Sequence, residues 1–131
     1  MSIVAGAALI DKNDNVIIVL EKKWGKKKSK WGFPKGHREA TDKCDFDCMV
    51  REVKEEIGLD IAKIDYQITH TCYLNSCIIY MIKLKINLIE TNLVIDEKEI
   101  SSINILSLDE LYEEYELMPH MFNRSVKTIF Q

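Results

Sequence analysis

The chain has 131 residues, 47% of them hydrophobic and 30% charged, with a net charge of -3. That balance argues against wholesale disorder, and the length suits a single domain over residues 1–131 with a real core. The mild acidity argues against a global electrostatic grip on nucleic acid, no DNA partner is expected, and no apolar run reaches the length of a membrane span.

Ser2 to Ile10 is almost continuously apolar, with the small residues Ala5, Gly6, Ala7 and Ala8, which suits a strand buried on both faces. Asp11 to Asn15 reads as a turn and Val16 to Leu20 as a second apolar strand. A basic loop follows. Lys22, Lys23, Lys26, Lys27, Lys28, Lys30, Lys35 and Arg38 crowd one stretch, which contains Trp31-Gly32-Phe33-Pro34-Lys35-Gly36. From Asp45 to Ile57 the period turns helical, with Phe46, Met49, Val50, Val53 and Ile57 at three- and four-residue steps. Asp42 or Asp45 is the candidate cap, and Gly58 the natural stop. Ile68 to Ile86 reads as a hairpin folding near Asn75-Ser76, its second arm alternating Ile82, Leu84 and Ile86 against Lys83 and Lys85. Ile100 to Leu106 is another strand. Ser107 to Glu116 is a helix capped by Ser107, and Pro119 to Phe130 a terminal helix with Pro119 near its first position. The order of elements predicts a mixed α/β or α+β domain.

The cysteines, Cys44, Cys48, Cys72 and Cys77, form no C-x-x-C pair, and His37, His70 and His120 are scattered. Free thiols in a reducing compartment are expected rather than a zinc site. With no basic N-terminal segment leading to a cleavage site, the expectation is a soluble cytoplasmic protein.

Chemistry concentrates in Arg51-Glu52-Val53-Lys54-Glu55-Glu56-Ile57-Gly58. At about 100° per residue, Glu52, Glu55 and Glu56 share a stripe beside the apolar one. Like charges at these spacings repel, so a helix that keeps three calls for a cation. Magnesium, with its taste for hard oxygen ligands and substrate phosphates, fits that demand. Arg51, four residues before Glu55, is placed to brace it. The competing reading is a solvated acidic face with no chemistry.

The segment from Gly36 to Leu59 resembles the signature box of the Nudix hydrolases. That box runs Gly, five residues, Glu, seven residues, then Arg-Glu-apolar-x-Glu-Glu-x-Gly-apolar. Arg51, Glu52, Val53, Glu55, Glu56, Gly58 and Leu59 match its second half, and Gly36 opens it. The interval from Gly36 to Arg51 is one residue longer, so Asp42 or Lys43 stands where the early Glu is usual. The resemblance implies an α/β class fold, an α/β/α sandwich with a mixed sheet and a loop-helix-loop box. It implies magnesium, with manganese as a substitute, held by Glu52, Glu55 and Glu56 and the backbone carbonyl of Gly36. It implies a general base at Glu56 or Glu55 or, on a later loop, Glu99.

The box does not fix what hangs on the diphosphate. The stretch Trp31 to Gly36, then Asp45-Phe46-Asp47-Cys48, and later Glu99-Ile100-Ser101-Ser102-Ile103 resemble the mRNA-decapping branch of the family. That branch implies capped RNA as partner and release of 7-methylguanosine diphosphate. Without the branch's separate regulatory domain, a compact viral type acting in a host cytoplasm is the alternative setting. Lys35, Lys28 and Lys30 are then candidate phosphate contacts. Trp24, Trp31, Tyr73 and Tyr80 are candidate stacking surfaces. A merely solvated loop and core aromatics compete with both readings. Phe33-Pro34-Lys35-Gly36-His37 followed by Glu39 resembles diadenosine tetraphosphate hydrolases, so dinucleoside polyphosphates are the alternative substrates, with diphosphoinositol phosphates behind them. A binding module without catalysis is the remaining class. The oligomeric state is not fixed by any of these features.

Overall fold

The computed structural model describes residues 3–22 and 28–130; Lys23, Trp24, Lys26 and Lys27 of the basic loop lie outside them. Among the described residues seven strands form one mixed sheet: β1 (Val4–Ile10), β2 (Asn15–Glu21), β3 (Trp31–Gly32), β4 (Lys35–His37), β5 (Tyr66–Leu74), β6 (Cys77–Leu84) and β7 (Ile100–Ser107). Among the described residues three α-helices accompany it: α1 (Asp45–Ile57), α2 (Leu108–Leu117) and α3 (Arg124–Lys127). The fold is α/β, as expected.

β1 pairs with β6 in parallel along its whole length. It meets β2 only where their hairpin closes, with Ile10 opposite Val16. Beyond that point the two strands splay, and the stretch read from sequence as loop fills the split. β4 adds to β1, with Gly36 opposite Ala5, and β3 adds to β2, with Gly32 opposite Val19. Phe33 and Pro34 between them are buried, and the Phe33 N–H donates to Ser125 Oγ at 3.0 Å.

The unbroken apolar run of β1 is explained by burial on both faces. Ala5, Ala7 and Leu9 share one core with Met49, Val53 and Ile57 of α1. Ala8 and Ile10 face the other way, into a second core with Phe33, Leu111, Phe122 and Val126. Alanines under α1 let the helix lie close to the sheet, which sets the box against β4. The turn before β2 is held by buried Asp11, whose Oδ1 accepts the N–H groups of Asn13 and Asn15 at 2.8 and 2.9 Å and whose Oδ2 accepts that of Leu88 at 2.9 Å.

Two local expectations are corrected. Cys44 is the N-cap of α1, with extended backbone and no side-chain cap bond. Neither aspartate caps, because Asp42 is bound to Arg51 and Asp45 to Arg38. The segment from Pro119 to Phe130 is not one helix. It is a 3-10 turn at Pro119–Met121, an extended Phe122, α3, and a 3-10 turn at Thr128–Phe130. The break docks the chain on β3: Phe122 is buried, the Asn123 N–H donates to the Trp31 carbonyl at 2.8 Å, and Asn123 Oδ1 caps Ser125. Other local signals hold. Gly58 ends α1 with φ 75, Ser107 and Glu110 form a reciprocal capping box on α2, and Asn75 turns the hairpin with φ 52.

Candidate active site

Arg51 is the hub of the box. Its Nε and Nη2 each donate to a carboxylate oxygen of Asp42 at 2.9 Å, and Nη2 also donates to the His37 carbonyl at 3.0 Å. Its Nη1 donates to Glu52 at 2.9 Å and to Glu55 at 3.1 Å. The guanidinium, helped by the Glu39 N–H, holds the Asp42 carboxyl well below the usual carboxylate range. So Asp42, not Lys43, stands in the early acidic position. The spacing from Gly36 to Asp42 is the regular one, and the extra residue falls between Asp42 and Arg51.

The three glutamates of α1 do not act alike. Glu52 and Glu56, one turn apart, are buried, while Glu55 is exposed and turned to Arg51. The Glu52 carboxylate lies against Gly36 so closely that a Cβ on that glycine would sit 2.0 Å from Glu52 Cδ. Burial pushes the Glu52 carboxyl up, against the pull of Arg51. Glu56 is buried deeper and accepts the Lys35 N–H at 3.3 Å. Its carboxyl is pushed up to about 9, first by burial and then by the charges of Glu21 and Glu52.

These groups open onto a cleft of about 350 Å³ lined by Glu21, Glu52, Glu56, Glu99, Lys35 and Gly36, among others. Lys35 Nζ pairs with Glu21 at 3.0 Å. Glu99 sits on the turn before β7, tied down when its carbonyl accepts the Lys22 N–H at 2.7 Å; the Lys22 ammonium also donates to the Glu97 carbonyl. The same loop is stitched to the end of α1, with Val94 N–H to Ile57 carbonyl at 2.9 Å and Asp96 N–H to Glu56 carbonyl at 3.0 Å.

Of the residues singled out from sequence, the cleft gathers Glu52, Glu56, Glu99, Gly36 and Lys35. Arg51 stands behind it. Glu55, Lys28, Lys30, Trp31 and Tyr73 do not line it. Trp31 packs half-buried on the second core, Lys28 and Lys30 are exposed, and Tyr73 is exposed on β5. Glu21 was missed. It ends an apolar strand just past a shift in the β2–β7 register, and only the fold brings it to Glu56.

The sequence profile of the NUDIX domain family matches residues 2–125. The chain belongs to the Nudix family. It is similar to mRNA-decapping enzyme subunit 2 of Saccharomyces cerevisiae (strain YJM789), 41% identical over 58 residues, which are 44% of this chain and 6% of that protein. It is also similar to mRNA decapping complex subunit 2 of Schizosaccharomyces pombe, 47% identical over 57 residues, 44% of this chain and 7% of that protein. The match thus spans less than a tenth of either relative. Among solved structures, the Ap4A hydrolase of C. elegans superposes with a TM-score of 0.66 at 17% identity, over 90% of this chain and 91% of that one. MutT from Aliivibrio salmonicida and Vibrio cholerae gives 0.61 at 18% identity, over 86% and 84%. These likenesses show the Nudix fold. No helix among the described residues is long and apolar enough to cross a membrane.

Nudix hydrolases generally use a divalent metal, and the donor set here fits one. Among the described residues no three acidic, histidine or cysteine side chains already close round one point. Yet Glu52 and Glu56 offer hard oxygens to the same cleft, and a cation there would offset the burial and the neighbouring Glu21 and Glu52 charges that oppose ionisation of Glu56. Glu55 is bonded to Arg51 outside the cleft, and the Gly36 carbonyl accepts the Cys48 thiol at 3.6 Å.

Proposed function

We propose that this Nudix hydrolase cleaves the diphosphate linkage of capped RNA with magnesium, or manganese in its place. The products are 7-methylguanosine diphosphate and RNA with a 5′-monophosphate. The proposal takes residues 1–131 as one domain working in the cytoplasm. The observation that carries the chemistry is the cleft itself, where buried Glu52 and Glu56 face Glu21, Glu99 and Lys35. The partial likeness to two fungal decapping proteins supports the choice of substrate.

Glu52, Glu55, Glu56 and the Gly36 carbonyl would hold the metal. When bound, it supplies a water of lowered pKa and neutralises phosphate charge as the bond breaks. Arg51 anchors Asp42 and so fixes the loop that presents Gly36. Lys35 leaves Glu21 to meet a substrate phosphate oxygen. A Glu99 carboxylate oxygen takes the proton of the attacking water, with Glu56 as the second candidate and Glu55 the third. The water oxygen bonds to phosphorus, and the bridging P–O bond breaks towards the leaving phosphate.

A side-by-side assay with magnesium tests this. It offers capped RNA, free cap dinucleotide, diadenosine tetraphosphate and a diphosphoinositol phosphate, with Glu56→Gln as control. Preference for capped RNA, lost in the variant, is expected. Preference for a small molecule overturns decapping and keeps the hydrolase. Ligand binding without turnover on any diphosphate overturns the enzyme.

A further inference from the structure

Glu99 is held at the cleft by hydrogen bonds rather than by packing. The chain runs from Ile95, which packs on the first core, to buried Ile100 through Asp96, Glu97, Lys98 and Glu99, all charged and the last three exposed. The turn closes on itself. The Glu99 and Ile100 N–H groups donate to the Asp96 carbonyl at 3.1 and 2.8 Å, and the Lys98 N–H donates to Asp96 Oδ1 at 3.0 Å. Those bonds set its shape but not the direction in which it points. That depends on what reaches it from outside. The end of α1 holds it at Asp96, and Lys22, one residue past β2, holds its other side. The Lys22 N–H donates to the Glu99 carbonyl at 2.7 Å, and the Lys22 ammonium donates to the Glu97 carbonyl. The backbone bond alone would leave a pivot. A second bond, two residues away, stops the turn rotating about it. The β2–β7 register shifts between Leu20 and Glu21. Successive residues of a regular strand face opposite sides, yet Glu21 and Lys22 both line the cleft, as Glu99 does. The irregularity thus brings the Lys22 side chain to the turn.

We infer that the Lys22 ammonium is a positioning group for the general base, clamping the exposed turn so that the Glu99 carboxylate stays turned into the cleft. The assignment rests on the role proposed for Glu99. Lys22 takes no proton and need not touch substrate. A charged donor suits the task, because an exposed tether competes with water and a bond from an ammonium is stronger than one from a neutral group. The lysine-rich stretch read from sequence thus serves the chemistry through its first residue, by holding backbone rather than phosphate.

The test uses the full chain with Lys22→Met, which keeps the stem and removes the donor, Lys22→Arg, Glu99→Gln, and Lys22→Met combined with Glu99→Gln. Turnover is measured with magnesium on the diphosphate that wild type prefers, and hydrogen exchange over residues 96–100 is measured without metal. Lys22 is exposed, so every Lys22 variant should melt near wild type. In Lys22→Met, kcat should fall about tenfold at unchanged KM, short of the roughly 100-fold that a full ångström of displacement costs. Lys22→Arg, which keeps a charged donor, should stay near wild type. In the Glu99→Gln background Lys22→Met should cost less than about twofold more, since the two residues act as one unit. Exchange over the turn should quicken in Lys22→Met and not in Lys22→Arg. Wild-type kcat or unchanged exchange in Lys22→Met overturns the clamp. So does an equal loss with and without Glu99, or a loss confined to KM, which would make Lys22 a substrate contact. Glu99→Gln at the wild-type rate overturns the base itself and the inference with it, whereas a slowed Glu99→Gln beside an unaffected Lys22→Met overturns the clamp alone.

Discussion

Gly36 and Glu52 compete for the same space, and the absence of a side chain on one positions the other. An alanine at Gly36 would push a carboxylate at the free end of a flexible side chain, not a piece of backbone. The expected result of Gly36→Ala is therefore a folded protein whose turnover drops by on the order of 100-fold, the size of loss that follows a shift of about an ångström at a reacting centre. Turnover near wild type would show that Glu52 does not need its present place. Asp42 has a different role, since its carboxyl is held well below its ordinary range by Arg51. A carboxyl depressed in the folded chain contributes stability above its unfolded value, about pH 3.9, and loses that contribution as pH falls further. Asp42→Asn should flatten the acid limb of melting temperature against pH below about 4. An acid limb identical to wild type would show that the pair is inert. At this scale the sequence was clear about the second half of the box and about Gly36, and left the early acidic position open between two residues. Arg51 and the glutamates stand at fixed helical spacings, but whether Asp42 or Lys43 met Arg51 depended on how the longer loop bends. Glu21 could not be found at all, because nothing local ties residue 21 to residue 56.

The elements carry the site through two joints. One is the end of α1, where Gly58 takes φ 75 and a Cβ would lie 3.0 Å from the backbone of Val94. That backbone belongs to the loop that delivers Glu99. Gly58→Ala should destabilise the fold by about 1–2 kcal/mol for the left-handed conformation, and should also slow turnover by moving Glu99. Chemical denaturation and kcat measured together check both; a stability loss with wild-type kcat would uncouple the loop from the chemistry. The other joint is the docking of Asn123 on β3, which cost the predicted terminal helix its continuity. Helix α1 and the cap of α2 were legible because periodicity and capping are local signals. β3 and β4 were not, since strands of two and three residues exist only because β1 and β2 splay apart. Ser107→Ala on α2, far from the cleft, should cost about 1 kcal/mol and leave turnover alone.

Over the whole molecule, folding buries an acid that would rather stay neutral. The Glu56 carboxyl is pushed up to about 9 by burial, while in the unfolded chain it titrates near 4.3. Between those values the folded state holds a proton that the unfolded state has released. Stability without metal should therefore fall as pH rises through that window, opposite in sign to the acid limb set by Asp42. Gln in place of Glu56 mimics the protonated form and removes the penalty. In the absence of divalent cations, Glu56→Gln should melt above wild type at about pH 8, and the two should converge as pH approaches about 4. The variant that is better folded would be the one that has lost catalysis, as expected where a functional charge is held against its preference. Magnesium should reverse the order by binding the ionised carboxylate only in the folded state, raising the melting temperature of wild type at about pH 8 and that of the variant much less. Melts of both proteins over this range, with chelator and with magnesium, decide the matter. Parallel curves with chelator would mean that Glu56 titrates normally in the fold, and a magnesium shift of equal size in both would move the metal away from Glu56.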